Sequence, residues 1–174
     1  MIHRRGLLAA AFLPIASAAA EEDDMETELH RAAKANDADR VAALVAAGTK
    51  IDARDKAQRT PLLAATRANA VDAARLLIEA GANVNAKDNI RDTPFLYAGA
   101  EGRLEILRMT LRAGANLKDT NRYGGNALIP ACHHGHPETV RELLKTDIDI
   151  DHINRLNWTA LLETIILSDG GPTH

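Results

Sequence analysis

Apolar and polar positions along the chain repeat every 33 residues. An apolar column, each member two residues after a threonine or an asparagine, consists of Leu29, Leu62, Phe95, Leu128 and Leu161. The same period aligns an alanine column, a glycine column and a second apolar column, which are Ala32, Ala65, Ala98 and Ala131; Gly48, Gly81 and Gly114; and Ile51, Val84, Leu117 and Ile150. A fixed period of this length over several copies is the signature of a repeat array, in which stacked copies bury a continuous core.

One copy, residues 60–88, predicts two helices followed by a turn. Thr60 and Pro61 have the form of an N-cap followed by a proline at the first helical position. The first helix has small residues on one side, and the second carries large apolar residues such as Leu77 at helical spacing. Gly81 predicts the end of the second helix, because glycine readily adopts the left-handed conformation that closes many helices. We therefore expect an all-α protein.

The segment RTPLLAATRANAVDAARLLIEAGANVNAKD, residues 59–88, resembles an ankyrin repeat. The resemblance implies an ankyrin-repeat solenoid of stacked helix-turn-helix units joined by β-turn or hairpin tips. It covers nearly all of the chain after residue 25, with repeats at about 25–55, 56–88, 89–121 and 122–154 and a partial repeat at 155–174. The partial repeat lacks a second helix, which fits a fragment, a naturally shortened chain or an unusual terminal cap. The segment HINRLNWTALLETIILSDGGPTH, residues 152–174, is similar to a segment of exported bacterial ankyrin-repeat proteins.

The first repeat alone carries the form T-x-L-H, from Thr27 to His30. The resemblance implies that this histidine joins neighbouring turns by hydrogen bonds. At the equivalent position the other copies carry Leu63, Leu96, Ile129 and Leu162. We expect those copies to replace the polar network by apolar stacking.

The first twenty residues are predicted to be a secretory signal peptide outside the folded domain, which then spans 21–174. Arg4 and Arg5 provide a basic start, residues 6–15 are mostly apolar, and residues 17–20 are small. The apolar run is too short to span a bilayer, which needs about 20 residues. The arginine pair also fits a twin-arginine signal, so the general secretory and twin-arginine routes both remain open. A disordered leader or a start codon assigned too early is the alternative. The expected location is the bacterial periplasm or the medium.

Charge and chemistry exclude several kinds of partner and ligand. The formal net charge is −3 and becomes −5 without residues 1–20, which disfavours nucleic acid as a partner. We expect no membrane span after the leader and, with Cys132 as the single cysteine, no internal disulfide. Cys132 and the nearby histidines are potential zinc ligands. However, His133 and His134 point in different directions on a helix, and no second ligand cluster is present. We predict no metal site and no cofactor.

The turn tips and the first helices of such an array form one continuous surface. We predict that this surface binds another protein, through Arg59, Ile90, Asp92, Arg122, Tyr123, Arg155, Leu156 and Trp158 on the tips and His133 and His134 on a helix. Tyrosine, tryptophan and arginine are the residue types that anchor interfaces, and Tyr123 and Trp158 are two of only five aromatic residues. The alternative is that Trp158 packs against a neighbouring tip and Tyr123 fills a turn.

An enzyme is not expected, because the sequence shows no nucleophile with a base, no phosphate-binding glycine loop and no metal-ligand set. A purely structural role, in which the array holds another exported protein, is a third class. The resemblance to exported bacterial ankyrin-repeat proteins implies a dedicated protein partner. Such a protein is either an immunity or inhibitor protein against a secreted toxin, or a helper of a periplasmic stress-defence enzyme such as one for peroxide. The sequence does not distinguish these alternatives.

Overall fold

The structure is a computed structural model that describes residues 26–168, with side chains described to residue 165. The predicted signal peptide therefore lies outside the described residues. Helices occupy about half of the described part, and they are α1 (Glu28–Lys34), α2 (Ala38–Ala46), α3 (Pro61–Ala68), α4 (Val71–Glu79), α5 (Pro94–Ala100), α6 (Leu104–Arg112), α7 (Leu128–His133), α8 (Pro137–Leu143) and α9 (Ala160–Ser168).

The helices form two layers. The first helix of each repeat contacts the first helix of the next, which gives an inner layer of α1, α3, α5, α7 and α9. The second helices α2, α4, α6 and α8 form the outer layer in the same way. This arrangement confirms the predicted all-α stack of paired helices. Within residues 26–168 the connections contain turns and no strand, so the tips are β-turns without a hairpin ladder.

The threonine and asparagine column caps the N-termini of the inner helices. Thr60 Oγ1 accepts a hydrogen bond from the backbone N–H three residues later, at 3.2 Å. Thr27 and Thr93 cap α1 and α5 in the same way. In the fourth repeat the N-cap of α7 is Ala127, and Asn126 just before it accepts with Oδ1 from the first N–H of the helix, at 3.1 Å. Each cap satisfies a donor that the helix itself leaves unpaired.

The outer helices end as the glycine column predicts. Gly81 has a φ of +88°, which a side-chain-bearing residue rarely adopts, and it follows the last turn of α4. Ala82 N–H then donates to the Leu77 carbonyl at 2.9 Å, which closes the helix. Gly48 and Gly114 repeat this conformation after α2 and α6. The fourth repeat has Asp147 in this column, so it lacks the glycine closure.

The core follows the apolar column as far as the fourth repeat. The first four members of the column are buried, whereas Leu161 on α9 is 69% exposed. Leu144, at the end of α8, is 53% exposed, while Ile78 at the equivalent position on α4 packs against the core. No described helix covers α8 and α9 on that side, so these apolar side chains face outward.

His30 has the predicted structural role. It is completely buried, and its Nε2 donates to the Arg59 carbonyl in the next repeat at 2.9 Å. Its Nδ1 lies 2.8 Å from Thr27 Oγ1. In the next three repeats Leu63, Leu96 and Ile129 take this position as buried apolar residues, which confirms that apolar stacking replaces the polar contact.

Truncation of Leu77 tests the stacking. Leu77 is completely buried on α4 between two repeats, so Leu77→Ala should lower the free energy of unfolding by roughly 2–5 kcal/mol. Leu144→Ala removes the same atoms from an exposed position and should change it by less than about 1 kcal/mol. Urea denaturation followed by circular dichroism measures both. A loss below about 0.5 kcal/mol for Leu77→Ala would contradict the assignment of this helix face.

Candidate functional site

A repeated side-chain cap shapes the tips that carry most of the candidate binding residues. Asp55 Oδ1 accepts hydrogen bonds from the backbone N–H groups two and four residues later, at 2.9 and 2.8 Å. Asp88, Asn121 and Asn154 make the same pair of hydrogen bonds in the following tips. This column was not singled out in the sequence, although its period of 33 residues was visible. It closes each turn from inside by binding the backbone.

Neighbouring tips are joined by backbone hydrogen bonds. Asn89 N–H donates to the Ala57 carbonyl at 3.0 Å, and Arg155 N–H donates to the Tyr123 carbonyl at 3.0 Å. In the described part of the chain, the tips of the third and fourth repeats lack the equivalent bond. The tips are therefore joined in two pairs, the second with the third and the fourth with the fifth.

A cleft of about 610 Å³ lies between the tips and the inner helices of the second to fifth repeats. Eight of the ten predicted partner-binding residues line this cleft, namely Ile90, Asp92, Arg122, Tyr123, His133, His134, Leu156 and Trp158. Residues far apart in sequence converge here because the repeat stacks equivalent positions along one edge.

The other two predicted residues, Arg59 and Arg155, do not line the cleft. Arg59 Nε pairs with Asp55 Oδ2 at 2.7 Å, so its guanidinium belongs to the tip cap. Arg155 Nη1 donates to the Arg122 carbonyl at 3.2 Å on the exposed side of the neighbouring tip. Both arginines contribute to tip structure, and a contact with a partner remains a prediction for them.

Two arginines in the cleft stack on tyrosine rings. The Arg67 guanidinium carbon lies 4.5 Å from the centre of the Tyr97 ring, and that of Arg122 lies 4.7 Å from the centre of the Tyr123 ring. Such cation–π contacts hold a guanidinium over an aromatic face. These four side chains form part of the lining of the cleft.

Tyr97 and Glu163 line the cleft but were not among the predicted binding residues. They share one column of the repeat, four residues after the helix N-cap, together with Ala64 and Pro130. Of the predicted binding residues, His133 came from the column three residues later, which also contains Arg67. The period of 33 was the signal that could have found both columns.

The Asp92 carboxylate is poorly satisfied. Its side chain is only 14% exposed, and its nearest cation, Arg67 Nη1, is 3.8 Å away. No hydrogen bond to this carboxylate occurs within residues 26–168. Burial raises its pKa, and the Asp88 and Glu101 carboxylates act in the same direction against the opposing effect of Arg122 and Arg67.

The two histidines of the cleft connect neighbouring repeats. His133 Nδ1 lies 2.9 Å from Oε2 of Glu163, a buried carboxylate on α9. His134 Nδ1 donates to the Ala100 carbonyl at 2.6 Å.

Burial raises the pKa of the half-buried Cys132 thiol, which favours the unreactive protonated form. Among the described residues, no group of three or more histidine, cysteine or acidic side chains is arranged to hold a metal ion.

Comparison with known proteins identifies the family. The family described as "Ankyrin repeats (3 copies)" matches residues 7–88, 29–121 and 95–168. The chain belongs to the ankyrin-repeat family. Ankyrin-repeat domains are typically non-enzymatic modules that bind proteins.

Solved structures of bacterial ankyrin-repeat proteins are similar to this one. An ankyrin repeat domain from Acinetobacter baumannii AYE is 58% identical, with a TM-score of 0.79, over 82% of this chain and 73% of that chain. An ankyrin repeat protein from Enterococcus is 41% identical, with a TM-score of 0.77, over the same shares of the two chains. No curated protein matches the sequence. No helix within residues 26–168 of this ankyrin-repeat protein is long and apolar enough to cross a membrane.

The tip cap at Asp55 predicts a pH-dependent contribution to stability. Burial by itself raises the pKa of Asp55, but hydrogen bonds from the Arg59 backbone and side chain outweigh it, and the pKa is lowered. The charged form therefore stabilises the fold above the ordinary value of 3.8, and this contribution disappears as the pH falls through the lowered pKa.

Asp55→Asn keeps the Oδ1 acceptor that Asn121 and Asn154 use in their own tips. It should destabilise the protein by about 1 kcal/mol at about pH 7, because hydrogen bonds to a charged acceptor are stronger than those to a neutral one. The difference from wild type should shrink as the pH falls from about 5 to about 2. Urea denaturation across this range measures it, with Glu79→Gln on an exposed helix face as the control. A difference that does not change with pH would contradict the assignment.

Proposed function

We propose that this ankyrin-repeat protein is exported by a bacterium and binds one dedicated protein partner through the cleft between its tips and inner helices. The observation that carries this proposal is the convergence of eight predicted binding residues on one cleft. Ankyrin-repeat domains typically bind proteins, which supports the class of function.

The exposure of apolar side chains around the cleft supports the choice of surface. Tyr123 is 51% exposed, and Ile90 and Leu156 are exposed as well, although all three line the cleft. Trp158 is half-buried beside them. Tyrosine and tryptophan are enriched among the anchors of protein interfaces. A partner that covered these four side chains would remove apolar surface from water.

Export is inferred from the sequence of the leader. The identity of the partner distinguishes between two functions. A captured toxin would indicate an immunity or inhibitor protein, and a captured stress-defence enzyme would indicate a helper. Both alternatives use a dedicated protein partner.

Export predicts a processed N-terminus. The mature chain should begin near Glu21, because the small residues at 17–20 follow a basic start and an apolar run. N-terminal sequencing of the protein purified from a periplasmic extract or from the medium tests this. Recovery of the protein in the cytoplasm with Met1 intact would contradict export, and it would leave the cleft proposal unchanged.

Comparative capture tests the cleft while the partner is still unidentified. Wild type, the double variant Tyr123→Ala/Trp158→Ala and the outer-helix variant Leu144→Ala are immobilised and exposed to periplasmic extract and culture medium. Proteins identified by mass spectrometry that are retained by wild type and Leu144→Ala, but lost from the double variant, are partners that use the cleft. Leu144 is a matched control because it is about as exposed as Tyr123 and lies away from the cleft.

For an identified partner, Tyr123→Ala and Trp158→Ala should each weaken binding at least tenfold, which is about 1.4 kcal/mol. Truncation of an interface anchor typically costs about 2 kcal/mol or more. Glu79→Ala, on an exposed face of α4, should leave affinity unchanged. Titration calorimetry measures affinity, and thermal unfolding separates lost binding from lost folding. Equal retention of every captured protein by the wild type and the double variant would exclude the cleft as the binding surface.

A further inference from the structure

Three carboxylates and two arginines line the cleft. Its charged lining residues are Arg67, Arg122, Asp92, Glu101 and Glu163. Both arginines already stack on tyrosines that belong to the same cleft, and Arg67 also faces Asp92. Both guanidinium groups are therefore held by contacts within the cleft.

Two of the three carboxylates lack hydrogen bonds. Glu163 is paired with His133. In the described part of the chain, the carboxylates of Asp92 and Glu101 accept no hydrogen bond. Asp92 makes one ion pair, the 3.8 Å contact with Arg67, and Glu101 makes none among the described residues. A carboxylate that is mostly removed from water and lacks hydrogen bonds is costly to keep ionised. Asp92 is such a carboxylate, since its side chain is 14% exposed. A cationic donor would supply hydrogen bonds to Asp92 and would also pair with Glu101, which lines the same cleft.

Resting on the proposed function, we propose that an arginine side chain of the protein partner enters this cleft and donates hydrogen bonds to Asp92 and Glu101. A guanidinium has five N–H donors in a planar fork, so it can serve two carboxylates at once. A guanidinium also stacks on aromatic rings, and the half-buried Trp158 lines the cleft. A lysine ammonium has three donors and no planar face, so the combination of carboxylates and aromatic rings favours arginine.

The effect of burial on Asp92 supports this assignment. Burial, and then the Asp88 carboxylate, raise the pKa of Asp92 in the free protein. An ionised Asp92 therefore lowers stability in the pH range where it is charged, because its folded pKa lies above the unfolded value. A tip with only a structural role would be served equally well by asparagine. The carboxylate has a physical reason to be there if a cation binds beside it.

Two small probes that differ only in charge test the proposal on the intact protein. N-acetyl-arginine amide carries the guanidinium, and N-acetyl-citrulline amide carries a neutral urea of nearly the same shape. Trp158 is the single tryptophan of the chain, so its indole N–H gives one unambiguous nuclear magnetic resonance signal. Fragments of this size bind weakly, and the titrations extend through the millimolar range.

We expect the arginine probe to shift the Trp158 signal in a saturable way and the citrulline probe to bind at least tenfold more weakly. Asp92→Asn and Glu101→Gln should each reduce affinity for the arginine probe by at least threefold. The matched controls Asp147→Asn and Glu105→Gln change exposed carboxylates outside the cleft and should have no effect. Thermal unfolding should show that Asp92→Asn is at least as stable as wild type.

Equal affinity for the two probes, or no shift of the Trp158 signal with either, would overturn the arginine assignment. Both results would leave the protein-binding proposal intact, because comparative capture tests that proposal separately. Conversely, suppose that the double variant captures the same proteins as wild type while the arginine probe still binds selectively. This result would exclude the cleft as the protein interface and support it as a cation site. Loss of affinity in the two cleft variants with normal unfolding would exclude a folding defect as the cause.

Discussion

Stacking of each repeat on its neighbours is the interaction on which the whole structure depends. The two helices of one repeat cannot enclose a core by themselves, so their apolar faces are buried only when another repeat covers them. Leu62 and Leu77 are completely buried between repeats, whereas Leu161, in the same column as Leu62, is exposed on the last described helix. Burial is therefore a property of the neighbouring repeat rather than of the residue type.

The residues that close the turns at the tips differ from the residues that form the candidate binding surface. Because Asp55, Asp88 and their asparagine counterparts accept the backbone hydrogen bonds of each turn, the exposed tip residues are not needed to hold the turn together. Residues as different as Arg122 and Leu156 can then occupy equivalent or adjacent tip positions without altering the backbone. This explains how a regular scaffold presents an irregular set of side chains along one edge.

The polar and apolar groups of the cleft are less well satisfied than those of the core. His30 is buried with both ring nitrogens satisfied, and the other repeats replace it by apolar residues. In the cleft, by contrast, Asp92 is mostly buried with no hydrogen bond among the described residues, and Tyr123 and Leu156 leave apolar surface in water. Local departures from good packing and hydrogen bonding are typical of binding sites, since the missing contacts are those that a ligand supplies.

The period of 33 residues, the threonine caps and the glycine closures by themselves determined the all-α repeat stack. The same period determined that most of the candidate residues share one surface, because equivalent positions of a regular stack lie along one edge. The tertiary structure decided what each side chain does there. Arg59 turns to Asp55, Arg67 and Arg122 lie on tyrosine rings, and Tyr97 and Glu163 enter the cleft. A period fixes the position of each backbone segment, whereas the direction and partners of a side chain depend on neighbours from other repeats, whose sequences differ at those positions.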